Sequence, residues 1–289
     1  MEAFLQYTVQ GLAAGGFYAL AALGLAVIFG ALGVVNFAHG SFYMLGAVTA
    51  AVLLDVLDIH FWASLVIVPI LMFIFGVIVE LLLVQWLLKL DILYNFLLTF
   101  GLSLVLVDLV KRQYGVSGLP YEQPAGLDGL IRLGSVEIPA YQLFVFLFSL
   151  AVCLIVWLVL AKTRVGMIVR AATEEPERAR ALGINVSAWV TPVFGFGVAL
   201  AGLAGVLAAP FRAVTATMGS NFVIILFAIV VIGGLGSVLG AVVAGFLVGL
   251  VEAYGQGYAG TFSQVLIFVL MAVVIMVRPA GLFGRKEAV

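Results

Sequence analysis

Charge is what this sequence has least of. Only 9% of its 289 residues are Asp, Glu, Lys or Arg and 65% are hydrophobic, whereas a soluble domain carries about 25% charged residues. Its mean hydropathy is +1.30. So few charges cannot build a solvated surface, so most of the chain must face lipid or other apolar helices. The net charge of −1 carries no message about nucleic acid, and none is expected as a partner. Cys153 is the one cysteine, which excludes an intramolecular disulfide and a multi-cysteine metal site. The two histidines, His39 and His60, cannot form a His-Glu-x-x-His zinc site. No Gly-Lys pair occurs, because Lys89, Lys111, Lys162 and Lys286 follow Leu, Val, Ala and Arg. A Walker A phosphate loop is therefore impossible, and any ATP hydrolysis coupled to this chain must occur on another one. No Ser-His-Asp arrangement is visible. The chain is expected to be no enzyme and to hold no cofactor or metal. Met1–Gln10 has Glu2 but no Lys or Arg, so it lacks the basic region of a cleavable signal peptide, and the first apolar run is expected as a retained helix.

What is abundant is long apolar runs separated by Gly, Pro and charge. At about 20 residues per crossing, the length accommodates eight or nine spans. The runs predict spans near Gly11–Val35, Ser41–Leu54, Phe61–Leu88, Ile92–Val110, Tyr141–Ala161, Ala188–Ala209, Val238–Ala253 and Phe262–Val277, with a shorter run at Phe222–Ile232. Helices are the default, because lipid offers backbone groups no partner and the alternation of barrel strands is absent. The expected fold class is therefore an all-α membrane protein, a polytopic transmembrane helix bundle with some broken or re-entrant spans. Lys162, Arg164, Arg170, Arg178 and Arg180 cluster after one span, and Arg278, Arg285 and Lys286 follow the last. The positive-inside rule puts both groups in the cytoplasm, with Lys89, and leaves Lys111, Arg112, Arg132 and Arg212 outside. By parity the N-terminus is outside, unless Val34–Gly40 is a re-entrant break. Trp62, Trp86, Trp157 and Trp189 fall near span ends, as aromatic belts do.

Segment 111–139, rich in Gly and Pro, is expected as an external loop or short hairpin that either meets a soluble partner or simply connects two spans. Segment 162–187 is strongly charged. Thr173 is placed to cap a short helix, with Glu174 and Glu175 in its first turn, Pro176 tolerated there, and Glu177 following. Arg178 and Arg180 lie toward its C-terminal end, then Ala181 and Leu182, and Gly183 supplies the stop. This is either an ordinary surface helix obeying the positive-inside rule or a coupling helix that docks into a groove on a cytoplasmic motor subunit. Asn36, His39, Gly40, Ser41 and Tyr43 form an uncharged polar cluster between two apolar runs. They suit either a tight turn or the lining of a path for a polar solute. Phe222–Ile232 is good for about 16 Å of helix, too little to cross about 30 Å of hydrocarbon. Gly233, Gly234, Gly236 and Ser237 follow it, as in a broken helix pair lining a cavity. The pattern Gly-x-Leu-Gly-x-Val occurs at Gly30–Val35 and again at Gly233–Val238, which marks either two related halves or coincidence in a Gly-rich chain. Glu80 sits inside a predicted span, with Asp108 and Glu252 near span ends. A lone glutamate is a poor proton relay, which argues against a proton-driven pump.

Asn36-Phe37-Ala38-His39-Gly40-Ser41-Phe42-Tyr43-Met44-Leu45-Gly46 resembles the N-terminal signature of the LivH-type permeases of branched-chain amino-acid ABC transporters. Ala179-Arg180-Ala181-Leu182-Gly183-Ile184-Asn185 resembles their cytoplasmic coupling segment, and Arg278-Pro279-Ala280-Gly281-Leu282-Phe283-Gly284 their C-terminal ending. The three stretches stand far apart and in family order, so the resemblance spans essentially the whole chain. It implies a single permease domain over residues 1–289, with a type II-like importer architecture in the cell inner membrane. It also implies a second related permease, two cytoplasmic ATPase subunits and a periplasmic or extracellular substrate-binding protein. Branched-chain amino acids are the default substrates, with urea, short amides, and aromatic or carboxylic compounds also transported in the family. The rival readings are a self-contained secondary transporter, a channel or scaffold, and, more distantly, a membrane-embedded enzyme.

Overall fold

The computed structural model describes residues 2–33, 35–87, 90–133, 136–174, 179, 181–183 and 185–284. The fold is an all-helical bundle with one small hairpin. Its helices are α1 (Glu2–Leu32), α2 (His39–Leu57), α3 (Phe61–Leu87, including a π-helical turn at Glu80–Val84), α4 (Ile92–Tyr114) and α5 (Ala140–Lys162). They continue as α6 (Arg164–Glu174), α7 (Val186–Ala208), α8 (Met218–Gly233), α9 (Val238–Ala259) and α10 (Ser263–Val277). Strands β1 (Leu130–Leu133) and β2 (Val136–Pro139) pair antiparallel between α4 and α5, with Arg132 opposite Glu137 and an ion pair of 2.9 Å between them. Among the described residues seven helices are long and apolar enough to cross a membrane, and α8 and α10 are shorter apolar helices.

α1 is the axis of the bundle, buried from Gly11 through Ile28 with few interruptions. A helix that is apolar all round is a core helix. It lies closest to α9, and the sequence shows why. Gly11, Gly15 and Ala19 recur every fourth residue on α1, as do Gly245 and Gly249 on α9. The two small-residue stripes face one another. A Cβ on Gly15 would stand 2.7 Å from the Cα of Phe246, and one on Gly11 2.8 Å from the Cα of Leu250. Helices without a hydrophobic drive to associate in lipid gain their contact energy from this kind of close approach. α7 packs against α1, α2 and α3 and completes the core. By contrast α3, α4 and α5 leave large apolar side chains exposed, among them Val66, Ile70, Leu97, Leu104, Leu154 and Ile155. Only lipid or another apolar chain can cover such a surface.

The bundle has two distinct ends. At the hairpin end, Leu119 pairs with Val214 and the Tyr141 hydroxyl donates to the Leu207 carbonyl at 2.9 Å. At the tail end, residues 278–284 fold back onto α8. The Leu282 and Phe283 amides donate to the carbonyls of Ile232 and Gly233 at 2.8 and 3.0 Å.

Several expected boundaries shift. α2 starts at His39 rather than Ser41 and runs to Leu57. α8 extends the short run at Phe222–Ile232 to Met218–Gly233, about 24 Å of helix. α4 continues through Lys111 and Arg112 to Tyr114, so the loop begins at Gly115 rather than at position 111. The Asp108–Arg112 ion pair, one turn apart at 2.6 Å, and two basic residues at the negative end of the helix dipole support that last turn.

Candidate functional site

The polar cluster Asn36–Tyr43 lies inside the bundle, not at its rim. The connector after Leu32 folds back alongside α1, and the His39 Nε2 stands 2.9 Å from the carbonyl oxygen of Ala21, three turns back. A carbonyl can only accept, so Nε2 is the donor, and the buried Nδ1 has no partner among the described residues. The Asn36 Oδ1 accepts from the Ala38 amide at 3.0 Å and shapes the turn into α2, while its buried Nδ2 is unpartnered. Gly40 packs against Gly219 of α8, where neither helix has room for a side chain. Tyr43 is buried with its ring 4.1 Å from that of Phe222 and its hydroxyl unpaired.

α4 supplies the other side of this seam. Asn95, Thr99 and Ser103 recur every fourth residue, so they share one helical face. The Phe37 amide donates to the Thr99 hydroxyl at 3.2 Å, and the hydroxyls of Ser41 and Ser103 are 2.8 Å apart. Asn95 is buried, and its Nδ2 reaches the Leu87 carbonyl at 3.1 Å. Phe37 is held between Phe96 and Phe227, with ring centroids 4.7 and 4.6 Å away. Sequence reasoning missed Asn95, Thr99 and Ser103, although the four-residue spacing of polar side chains in an apolar run is a usable signal.

The glycine cluster after α8 occupies the tail end. Ser237 caps α9 by accepting from the Gly240 amide at 3.1 Å. Gly236 (φ +76°) lies against Gly30, and the corresponding glycine of the first repeat, Gly33, is also left-handed at φ +65°. The two Gly-x-Leu-Gly-x-Val segments meet through Gly30 and Gly236 but end their helices differently, α1 continuing to Leu32 and α8 stopping at Gly233. Gly233 faces Gly240, and Gly234 (φ +101°) is covered by the tail, with Gly284 where a side chain would go. Asn36–Tyr43 meets α8 at its opposite end, at Gly219 and Phe222, so the two groups of expected path residues contact different ends of one helix.

The charged segment after α5 is organised differently from the sequence expectation. Thr173 does not cap a helix. It lies in the last turn of α6, with Glu174 as the final residue. The capping threonine is Thr163, ten positions earlier, whose Oγ1 accepts from the Gly166 amide at 3.4 Å. α6, with Val169 against the core, packs against α5, α1 and α7 and precedes the expected short helix, whose start lies outside the described residues. Glu175, Glu177, Arg178 and Arg180 lie outside the described residues. Ala179 and Ala181 are helical, and the chain turns at Leu182 and Gly183, the latter at φ +81° as a C-terminal stop requires. Ala179, 2% exposed, joins Val186 and Val190 in a small apolar cluster against Leu32 and Trp189. Leu182 is 81% exposed. One turn beyond Val186, the Thr191 hydroxyl donates to the buried Glu80 carboxylate at 2.7 Å, within the π-helical turn of α3. Such turns are frequent where helices carry function.

Residues 7–276 match a protein family described as the branched-chain amino acid transport system / permease component. The chain is 30% identical to the high-affinity branched-chain amino acid transport system permease protein BraD of Pseudomonas aeruginosa, over 98% of this chain and 97% of that one. It is 29% identical to the corresponding permease protein LivH of Salmonella typhimurium and 28% identical to LivH of Escherichia coli, in each case over 98% of this chain and 96% of the relative. No solved structure matches it.

Proposed function

Because this chain belongs to the branched-chain amino acid transport permease family, and is therefore a membrane permease and not an enzyme, we propose that it forms half of the translocation path of an ATP-driven importer. A second, related permease completes the path, and two cytoplasmic ATPase subunits drive it. A substrate-binding protein delivers a branched-chain amino acid or a related small polar metabolite such as urea, an amide, or an aromatic or carboxylic compound. The tail end faces the cytoplasm of a cell whose inner membrane holds the chain. The two described segments that the positive charges assign to the cytoplasm, around Ala179 and after Val277, meet the ends of α1 and α8 at that one end, which supports this orientation.

In this reading Thr173, Glu174, Glu175, Glu177, Arg178, Arg180, Ala181, Leu182 and Gly183 form the contact with the ATPase. Asn36, His39, Gly40, Ser41 and Tyr43, with Gly233, Gly234, Gly236 and Ser237, border the path. The observation that carries the coupling role is the burial of Ala179 against Val186, Val190 and Leu32. A segment anchored in this way, with Ala181, Leu182 and Gly183 exposed, transmits a push on its surface to α7 and to the end of α1 as a rigid unit. Outward opening would then alternate with inward opening as the motor closes and reopens.

The test is a double substitution, Arg180→Ala with Gly183→Ala, followed by uptake into proteoliposomes holding the assembled transporter. Ala at a left-handed position costs about 1–2 kcal/mol locally, and loss of the arginine removes an oriented charge from the docking face. Uptake is expected to fall while the chain remains in the membrane. Unchanged uptake rejects the coupling assignment.

A further inference from the structure

Glu252 lies on α9 about 10 Å short of its hairpin end and is 6% exposed. A carboxylate at such a position requires partners, and it has three. The Tyr18 hydroxyl donates to Oε2. Arg212, in the loop between α7 and α8, donates through Nη2 to Oε1 at 3.2 Å and to the Tyr18 oxygen at 2.8 Å. The Gln256 amide donates to Oε1 at 3.2 Å. The guanidinium also lies 5.5 and 5.7 Å from the ring centroids of Phe17 and Tyr18. Burial opposes its charge, and the surrounding Tyr18, Tyr43 and Glu252 outweigh that effect, so its pKa stays above the ordinary arginine value.

This clamp uses one nitrogen of Arg212. Its Nε and Nη1 make no hydrogen bond to any described residue, and the side chain is 38% exposed. Arg212 lines a cavity of about 400 Å³, within the usual range for small-molecule sites. Four glutamines, Gln10, Gln142, Gln256 and Gln264, converge on the same cavity from α1, α5, α9 and α10, and Phe17 and Phe211 give it an apolar wall. Among the described residues the amides of Gln10, Gln142 and Gln264 have no internal partner. Gln10, Gln256 and Gln264 are exposed and Gln142 is half-buried, so these side chains are open to the cavity; the fold does not use the amides of Gln10, Gln142 and Gln264, and their convergence on a fixed cation has the form of a binding site.

Resting on the permease reading above, we infer that this cavity is an acceptor site at the hairpin end for a small zwitterion, an α-amino acid with an apolar side chain. Arg212 receives the carboxylate, the glutamine carbonyls receive the ammonium group, and Phe17 and Phe211 receive the side chain. Glu252 and Tyr18 are positioning residues that hold the guanidinium toward the cavity. The site lies within one permease chain, on the face where a delivered solute would arrive.

The experiment is equilibrium binding of radiolabelled L-leucine to the assembled transporter in nanodiscs, alongside ATP-driven uptake by the same preparation. Competitors are 4-methylpentanoate, which keeps the carboxylate, and L-leucinamide, which lacks it. The acid should compete and the amide should not. Replacing Gln142 and Gln264 by Leu, which breaks no internal bond, should weaken binding about tenfold, the effect of losing about 1.5 kcal/mol of hydrogen bonding. Arg212→Lys should weaken it further. Full binding by the glutamine variant, equal competition by leucinamide, or no saturable leucine binding overturns the site. Loss of leucine binding when phosphatidylglycerol replaces phosphatidylcholine in the disc also overturns it, in favour of a lipid headgroup pocket. If wild-type uptake depends on ATP while these binding results fail, the acceptor site is wrong and the importer reading stands. If uptake ignores ATP, the importer reading itself fails.

Discussion

At Gly15 of α1 and Gly249 of α9, single hydrogen atoms set the distance between the two most intimately packed helices. Replacing Gly15 by Val inserts side-chain atoms where Phe246 has its backbone. Overpacking of this kind costs typically 1–3 kcal/mol, at about that order here. The variant should lose thermal stability in detergent, read by the temperature at which it aggregates, whereas Gly101→Ala should not, because nothing lies within 4 Å of that position. A second prediction concerns Ser41 and Ser103, whose hydroxyls meet across α2 and α4. A double-mutant cycle with Ala at both sites should give a coupling of about 0.6 kcal/mol, the usual value for interhelical hydrogen bonds in membranes. A coupling near zero would remove this bond from the account of how α4 is held. The sequence makes the polar character of Asn36, His39, Ser41 and Tyr43 plain but not their surroundings. His39 and Ser41 find their partners at Ala21 and Ser103, 18 and 62 residues away, and no local pattern announces such pairings.

Among the elements, α8 and its following turn show how far sequence patterns reach. The apolar run at Phe222–Ile232 and the glycines after it place a short helix and a break correctly. The helix gains its first turn, Met218–Asn221, because glycine pairing at Gly40–Gly219 lets α2 approach there, which apolarity alone does not register. The Arg278–Gly284 stretch resembles a family ending in sequence and has a mechanical role in the structure. It straps the end of α8 through two backbone hydrogen bonds. Gly281 sits at φ +79° with Gly234 where a Cβ would be. Gly281→Val should lift the strap, and hydrogen exchange at 234–237 should quicken relative to α9. Unchanged exchange would mean that the turn holds itself. The charged segment is the opposite case. Its stop at Gly183 is legible because a left-handed residue favours glycine, but its start is not. Thr173 lies in the last turn of α6, and residues 175–178 lie outside the described ones.

For the whole molecule, charge scarcity and the lengths of the apolar runs make the helical membrane bundle readable from sequence, and three separated motifs make the family readable. Arg212 and Glu252 are each visible as charges near span ends, but their pairing is not, because it joins a loop to a helix through Tyr18 on a third element. In the proposed importer the segment that would meet the ATPase is rich in charged residues, so its contact should weaken with salt as charges beyond about 10 Å are screened at 0.1 M. The most direct test of the importer reading is therefore affinity purification of this chain from native membranes at low salt, with identification and counting of the chains that accompany it. ATPase subunits and a second, related permease, with the ATPase subunits reduced at high salt, are the predicted result. A homo-oligomer without any ATPase, in a preparation that still transports solute, would contradict it.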